Sequence, residues 1–397
     1  MLLLRRGLFS RFRSHTKMDP IFDHKTRRFR NPFSTWKDPS TWEAMKWGVS
    51  RTPPKFPSQD ESMQMFGDPK QNVNVELLKT APKSLRATWF GHATNYVQFS
   101  SSFTLITDPV FSERCSPLAF AGPKRIVAVP LEIEELALCD AVLISHNHYD
   151  HLDLQSIKRL EQKFQPVFVC GVGLGTFFTK QCSIPEDRVV ELTWWQSARV
   201  ASSRKHLQGR AEPNSSAGGA SVTTGSLAVD VQMVPAQHWS RRSMGDKNQS
   251  LWGGFHVSAP IGASSEKSSF YFCGDTGYNP ELFVEIGRRC GPIDIAAIPI
   301  GAYEPRGFMC PQHVNPKEAV MIHKEANVRQ SYGIHWGTFI LTDEPLDEPP
   351  KETKIACEEL GVAFGSEFHV IHAGRSIDAS DGPVSLLGLQ RKDEAFL

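Results

Sequence analysis

No two of the eight cysteines in this 397-residue chain are spaced as CxxC; Cys115, Cys139, Cys170, Cys182, Cys273, Cys290, Cys310 and Cys357 are scattered. A chain this long does not need a disulfide scaffold, and isolated cysteines of this kind act as small buried hydrophobes in a reducing compartment. No run of eighteen apolar residues occurs, so no spanning helix is expected. No Pro/Gly/Ser-rich linker of any length divides the middle, which argues for one large domain. Charge of one sign is not in excess either. Lys plus Arg is 44 against 43 acids, a net +1. That balance lacks the broad basic footprint of a nucleic-acid enzyme, and no nucleic-acid partner is expected.

What is present is ample core material, with 40% hydrophobic and 10% aromatic residues. Residues 1–18 hold five Lys/Arg and no acid, and Leu3, Leu4, Leu8 and Phe12 can share one helical face. Such a segment suits an anionic membrane surface, its composition also matches a mitochondrial presequence, and a disordered basic tail is the plainer alternative. Residues 19–84 are rich in Pro, Lys and Trp with weak periodicity, and read as an extended arm. From Leu85 the pattern turns to strands at 85–89, 93–99 and 103–106, ending at Asp108-Pro109. A continuous apolar run at 141–145 fits a strand covered on both faces. A helix follows at 153–164, where Leu154, Ile157, Leu160 and Phe164 recur at helical spacing. Residues 202–225, rich in Ser and Gly, read as a surface loop. Leu227, Val229, Val231 and Met233 alternate with polar or small residues in a half-buried strand. Further strands fit 268–273, 293–300 and 330–334, and Asn315-Pro-Lys-Glu318 is a capped helix start. Two mixed sheets with helices outside, an αββα sandwich over 85–380, account for this order, with a C-terminal tail at 381–397.

The chemistry concentrates in His146-Asn147-His148-Tyr149-Asp150-His151, directly after the buried strand. Three imidazoles and a carboxylate in six residues need compensation from a metal or from one another. Alternate side chains of a loop aim at neighbouring points, so His146 and His148 can hold one metal and Asp150 and His151 another. Neutral imidazole and carboxylate suit zinc, with a position left open for water. His238, Asp275 and His335 each follow a later strand and complete the two sets. Asp275 sits in Phe272-Cys-Gly-Asp-Thr-Gly277, where glycines let the backbone bend a carboxylate inward. His15, His24, His206, His256, His323, His369 and His372 lack such company and read as structural. His92, in Gly91-His-Ala-Thr94, fits either the core or a position steadying a ligand.

This pattern is the signature of the metallo-β-lactamase superfamily. A closer resemblance runs over residues 25–375. The stretches Thr88-Trp-Phe-Gly-His-Ala-Thr94, Leu143-Ile-Ser-His-Asn-His-Tyr-Asp-His-Leu-Asp153, Gly274-Asp-Thr-Gly-Tyr278, Ile298-Pro-Ile-Gly-Ala-Tyr-Glu-Pro-Arg306, Gln312-His-Val-Asn-Pro316 and Ile334-His-Trp-Gly-Thr-Phe339 resemble N-acyl-phosphatidylethanolamine-hydrolysing phospholipase D. The resemblance implies two Zn2+ ions per chain. His146, His148 and His238 would hold one, Asp150, His151 and His335 the other, and Asp275 would bridge them as a catalytic residue. It also implies substrate contacts at Tyr149 and His313, the latter close to the reacting phosphate. The implied partners are a phospholipid substrate, a membrane surface, a second copy of the chain and bile acids. The implied setting is intracellular and peripheral to Golgi or endosome-type membranes, with mitochondria as the alternative that residues 1–18 leave open. Trp36, Trp42, Trp47, Trp194 and Trp195 are candidate interfacial aromatics, with a place in the core as the alternative for each. The rival readings are a lactonase or nuclease on the same fold, or a zinc-containing scaffold that binds lipid without turnover.

All candidate ligands lie beyond residue 145. Deleting residues 1–18 is therefore expected to spare turnover of detergent-dispersed lipid and to weaken binding to anionic vesicles, most at low salt. Vesicle sedimentation across a salt series checks this, and unchanged binding would remove the membrane role of the segment.

Overall fold

A computed structural model describes residues 18–379 except 39, 119, 203–226 and 263. The segments 1–17 and 381–397, and nearly all of the 202–225 stretch, lie outside the described residues, as do His15 and His206. Among the described residues no helix is long and apolar enough to cross a membrane.

Two seven-stranded mixed sheets pack face to face with helices outside. The first runs in the order Ser376–Ala379, Leu85–Gly91, Thr94–Phe99, Thr104–Thr107, Ala141–Ile144, Val167–Gly171 and Val189–Leu192. The second runs Phe368–His369, Val328–Ile334, Ile293–Pro299, Lys267–Phe272, Gly254–Pro260, Ala228–Val234 and Ser197–Ala201. Each joins one antiparallel half to one parallel half. This is the metallo-β-lactamase sandwich that the order of elements predicts.

The reason for the unbroken apolar run at 141–144 is visible in its neighbours. Ala141 and Leu143 point between the sheets, where Val231, Phe255 and Phe270 share the same core. Val142 and Ile144 point outward, onto Ile157 and Leu160 of helix Leu154–Phe164 and Phe178 of helix Gly175–Gln181. Both faces of the strand are dry. In Ala228–Val234 the expected alternation appears, with Val229, Val231 and Met233 fully buried and Asp230 and Gln232 half-buried.

The region 19–84 departs from an extended arm. It forms a hairpin, Ile21–Asp23 with Arg28–Arg30, then the helices Thr41–Ser50, Gln59–Phe66, Pro69–Asn72 and Val75–Leu78. Capping explains how helices arise where periodicity is weak. Ser40 with Glu43, and Ser58 with Glu61, form reciprocal capping boxes, each satisfying the N–H groups of the serine and of the glutamate at a helix start. Trp194 also departs from its interfacial reading, since it is buried and donates to the Trp252 carbonyl. Of the five candidate tryptophans, Trp42 is the one left mostly in water.

Phe255 lies fully buried between the sheets. Phe255→Ala is expected to destabilise the protein by about 3–5 kcal/mol. Urea unfolding measures this, and a loss below about 1 kcal/mol would contradict the inter-sheet placement.

Candidate metal centre

The candidate residues converge because the strands that precede them end at one edge of the sandwich. Ala141–Ile144 runs parallel to Thr104–Thr107 in the first sheet and delivers the loop 145–152. In the second sheet Ala228–Val234, Lys267–Phe272 and Val328–Ile334 point the same way and are followed by His238, Asp275 and His335. Gly274 adopts a φ of +64°, and a β-carbon there would come within 3.1 Å of Ser145 and the Gly253 carbonyl, so a side chain would be strained and crowded. His335 itself sits at φ +65°, held by its N–H donating to the His92 carbonyl at 2.9 Å.

Two buried clusters result, each with its donor atoms within 4.8 Å of one another. One joins His146, His148, His238 and Asp275, with His148 Nδ1 at 2.8 Å from His146 Nε2 and 3.4 Å from His238 Nε2. Asp275 Oδ2 lies 3.8 Å from His146 Nε2 and 3.7 Å from His238 Nε2. The other brings Asp150 Oδ2 to 3.4 Å from His151 Nε2 and 3.5 Å from His335 Nε2, with His92 beside them. Asp275 reaches this side too, at 3.1 Å from both His151 Nε2 and His335 Nε2. Its Oδ1 is buried without a hydrogen-bond partner, as is His148 Nε2. A shared carboxylate and converging imidazole nitrogens form a donor set that fits divalent metal.

Surrounding groups set the direction of each ring. Asp108 Oδ2 accepts from His151 Nδ1 at 2.6 Å and from Ser145 Oγ, which in turn pairs with His146 Nδ1 at 2.9 Å. His238 Nδ1 donates to the Gln312 carbonyl at 2.9 Å. Each of these bonds leaves Nε2 facing the centre. His92 settles as a hydrogen-bond partner of Asp150, with Nε2 2.9 Å from Oδ2. Arg242 closes the loop from outside, its Nη1 donating to the carbonyls of Asn147 at 3.2 Å and Leu152 at 2.7 Å.

The electrostatics match a metal site. Burial lowers His238 to about 3 and His148 to about 4, and takes His146 well below the ordinary imidazole range. These three are therefore neutral donors at pH 7. Burial works against ionising Asp150 and Asp275 as well, but the charge of His151 overcomes it and holds both carboxyls well below the usual range. Burial also opposes a proton on His335, yet Asp275 raises it to about 9. A cation entering there replaces a proton.

Tyr149 and His313 stand differently. The Tyr149 hydroxyl donates to the Arg242 carbonyl at 3.0 Å, and the Arg242 guanidinium lies 4.1 Å over its ring. His313 faces the centre, with Nδ1 unpartnered, buried and 3.9 Å from Asp275 Oδ2. Asp108 and Arg242 were missed in the sequence. A carboxylate just after an apolar strand was a usable signal for Asp108; Arg242, four residues past His238, offered none. His323 and His369 pair with Ser331 and the Ser366 carbonyl, in keeping with structural roles.

The family model described as the beta-lactamase superfamily domain matches residues 104–336. The chain is 35% identical over 361 residues to N-acyl-phosphatidylethanolamine-hydrolyzing phospholipase D 1 of Caenorhabditis elegans, covering 89% of this chain and 93% of that protein. This chain belongs to that family. It is 34% identical over 275 residues to a Saccharomyces cerevisiae relative, "N-acyl-phosphatidylethanolamine-hydrolyzing phospholipase D, mitochondrial", covering 68% of this chain and 51% of that protein. Among solved structures, isothiocyanate hydrolase from Delia radicum gut bacteria superposes with a TM-score of 0.52 at 16% identity, over 74% of this chain and 98% of that one. This likeness speaks for the fold alone.

Elemental analysis of the purified protein is expected to give about two divalent ions per chain. Asp275→Asn, which alters the one carboxylate common to both clusters, is expected to bind both ions more weakly. One ion per chain in the wild type, or full loading of Asp275→Asn, would contradict a shared site.

Proposed function

We propose that this chain is a dinuclear zinc phosphodiesterase of phospholipase D type, cleaving N-acyl-phosphatidylethanolamine to an N-acylethanolamine and phosphatidic acid. The observation that carries this reading is Asp275 standing between two histidine clusters in a chain of this lipid-hydrolase family. His146, His148 and His238 would hold one zinc, Asp150, His151 and His335 the other. Such a pair supplies a water that ionises near neutral pH and positive charge to neutralise phosphate oxygens.

The protein's own contribution is placement. Asp275 sets the distance between the two sets of imidazoles. Asp108 and the Gln312 carbonyl hold His151 and His238 with Nε2 inward, and His92 steadies Asp150. His313 has 13% of its side chain exposed. Burial keeps it neutral, near 3, so it meets the phosphodiester as a hydrogen-bonding imidazole and not as a cation. Tyr149, the other substrate contact that the resemblance implies, is clasped by Arg242. In the net reaction water oxygen bonds to phosphorus, the bond from phosphorus to the ethanolamine oxygen breaks, and that oxygen takes a proton.

A peripheral membrane setting, homodimerisation and bile-acid binding accompany this reading through the family resemblance. The name of the Saccharomyces relative supports the mitochondrial alternative for localisation.

Purified protein incubated with N-acyl-phosphatidylethanolamine in oxygen-18 water is expected to place the label in phosphatidic acid, read by mass spectrometry. Label in the ethanolamide, or release of free fatty acid, would refute attack at phosphorus. Turnover of lactones or nucleotides with no lipid cleavage would move the chain to another hydrolase class.

A further inference from the structure

The space between the sheets is lined by apolar side chains until it nears the metal edge. The inward row of Thr94–Phe99 holds Phe99 and Val97 and then, toward the site, Asn95. Asn95 lies in register with Thr107, which follows Leu105 in the inward row of Thr104–Thr107. From the second sheet, Val328–Ile334 sends Tyr332 into the same core. All three side chains are fully buried. An amide and two hydroxyls therefore interrupt a core that apolar residues of similar shape could fill without needing partners.

The three groups satisfy one another. The Tyr332 hydroxyl donates to Asn95 Oδ1 at 2.7 Å, across the gap between the sheets. Asn95 Nδ2 donates to Thr107 Oγ1 at 2.9 Å and to the Ala93 carbonyl at 3.1 Å, and the Asn95 N–H reaches the same Thr107 oxygen at 3.2 Å. The Thr107 hydroxyl donates to the Ala93 carbonyl at 2.9 Å. Every polar atom of the three side chains is used, as burial demands.

Each arm of this network ends close to the metal centre. Ala93 follows His92, which bonds Asp150 at 2.9 Å and whose carbonyl accepts the His335 N–H. Thr107 precedes Asp108, whose carboxylate holds His151 Nδ1 at 2.6 Å. Tyr332 stands three residues before His335, on the strand that delivers it. The arms thus lead to Asp150, His151 and His335. His146 is reached at one further remove, from Asp108 through Ser145. Apolar contacts are non-directional and tolerate small slips, whereas a hydrogen bond fixes both distance and angle.

We propose that Tyr332, Asn95 and Thr107 form a polar bolt between the sheets that sets His335 against His151 and Asp150. Tyr332 is then a positioning residue for one of the two metal ions. That these three ligands share an ion rests on the proposed function; the bolt is tested on metal binding, without turnover.

Full-length wild type, Tyr332→Phe, Thr107→Val and Thr107→Ser are stripped of metal and titrated with Zn2+ against a chromophoric chelator. Tyr332→Phe keeps the ring and loses the cross-sheet bond, and is expected to bind one ion about tenfold more weakly and the other with little change. Thr107→Val, which removes a second link of the bolt, is expected to do the same. Thr107→Ser, which keeps the hydroxyl, is expected to bind both ions as wild type does. Unfolding of the metal-free proteins is followed in parallel. A lowered unfolding midpoint in Tyr332→Phe with both zinc affinities intact makes the bond merely structural and overturns the proposal. Equal weakening of both ions also overturns it, because the arms lead to one set of ligands. A wild type that takes up a single ion refutes the two-metal reading alone, and weaker binding of that ion by Tyr332→Phe then still supports the bolt.

Discussion

Asp275 is a carboxylate buried among imidazoles, and the edge of the sandwich is arranged around it. Charges taken out of water are tolerated only when opposite charge and hydrogen bonds replace the lost solvation. Here His151 and His335 approach both sides of the carboxylate, and four further imidazoles, those of His146, His148, His238 and His313, stand close by. The turn at Gly274 and the left-handed backbone of His335 bring these groups together. The same arrangement suits a divalent cation, which compensates carboxylate charge better than protons shared among rings.

Neither sheet contains the centre. Asp108 and the loop 145–152 belong to the first sheet, and His238, Asp275 and His335 to the second. Their distances are fixed by the inter-sheet core, from Leu143 and Val169 on one side to Val231 and Phe272 on the other. Packing of apolar residues is in this way part of the chemistry, because a relative shift of the sheets would separate the two histidine clusters.

The residues before the sandwich tie down the loops of this edge. Asn31 Nδ2 donates to the His238 carbonyl at 2.7 Å, and Thr35 Oγ1 bonds the side chain of the neighbouring Gln237. Phe66 packs on Trp336, next to His335, with ring centres 5.9 Å apart. Arg242 performs a similar service between loops, since it extends from the His238 segment to clamp Asn147 and Leu152. An N-terminal region of weak periodicity thus holds its place by specific hydrogen bonds and ring contacts with the site.

The sequence by itself determined the sandwich order and the seven residues that meet at its edge, from His146 to His335. These were legible because they are local signals: apolar runs of strand length, alternation in 228–234, and polar groups too dense for packing directly after a dry strand. The capped helix at Pro316–Glu325 was legible for the same reason. Tertiary structure decided what depends on contacts between distant segments. It placed Asp108 behind His151, forty-three residues on, and put His92 on Asp150 instead of in the core alone. It clasped Tyr149 with Arg242, and it buried Trp194 while leaving Trp42 in water. Such pairings carry no periodicity or spacing, because they arise only when separately formed strands and loops are brought to one edge by the burial of the two sheets against each other.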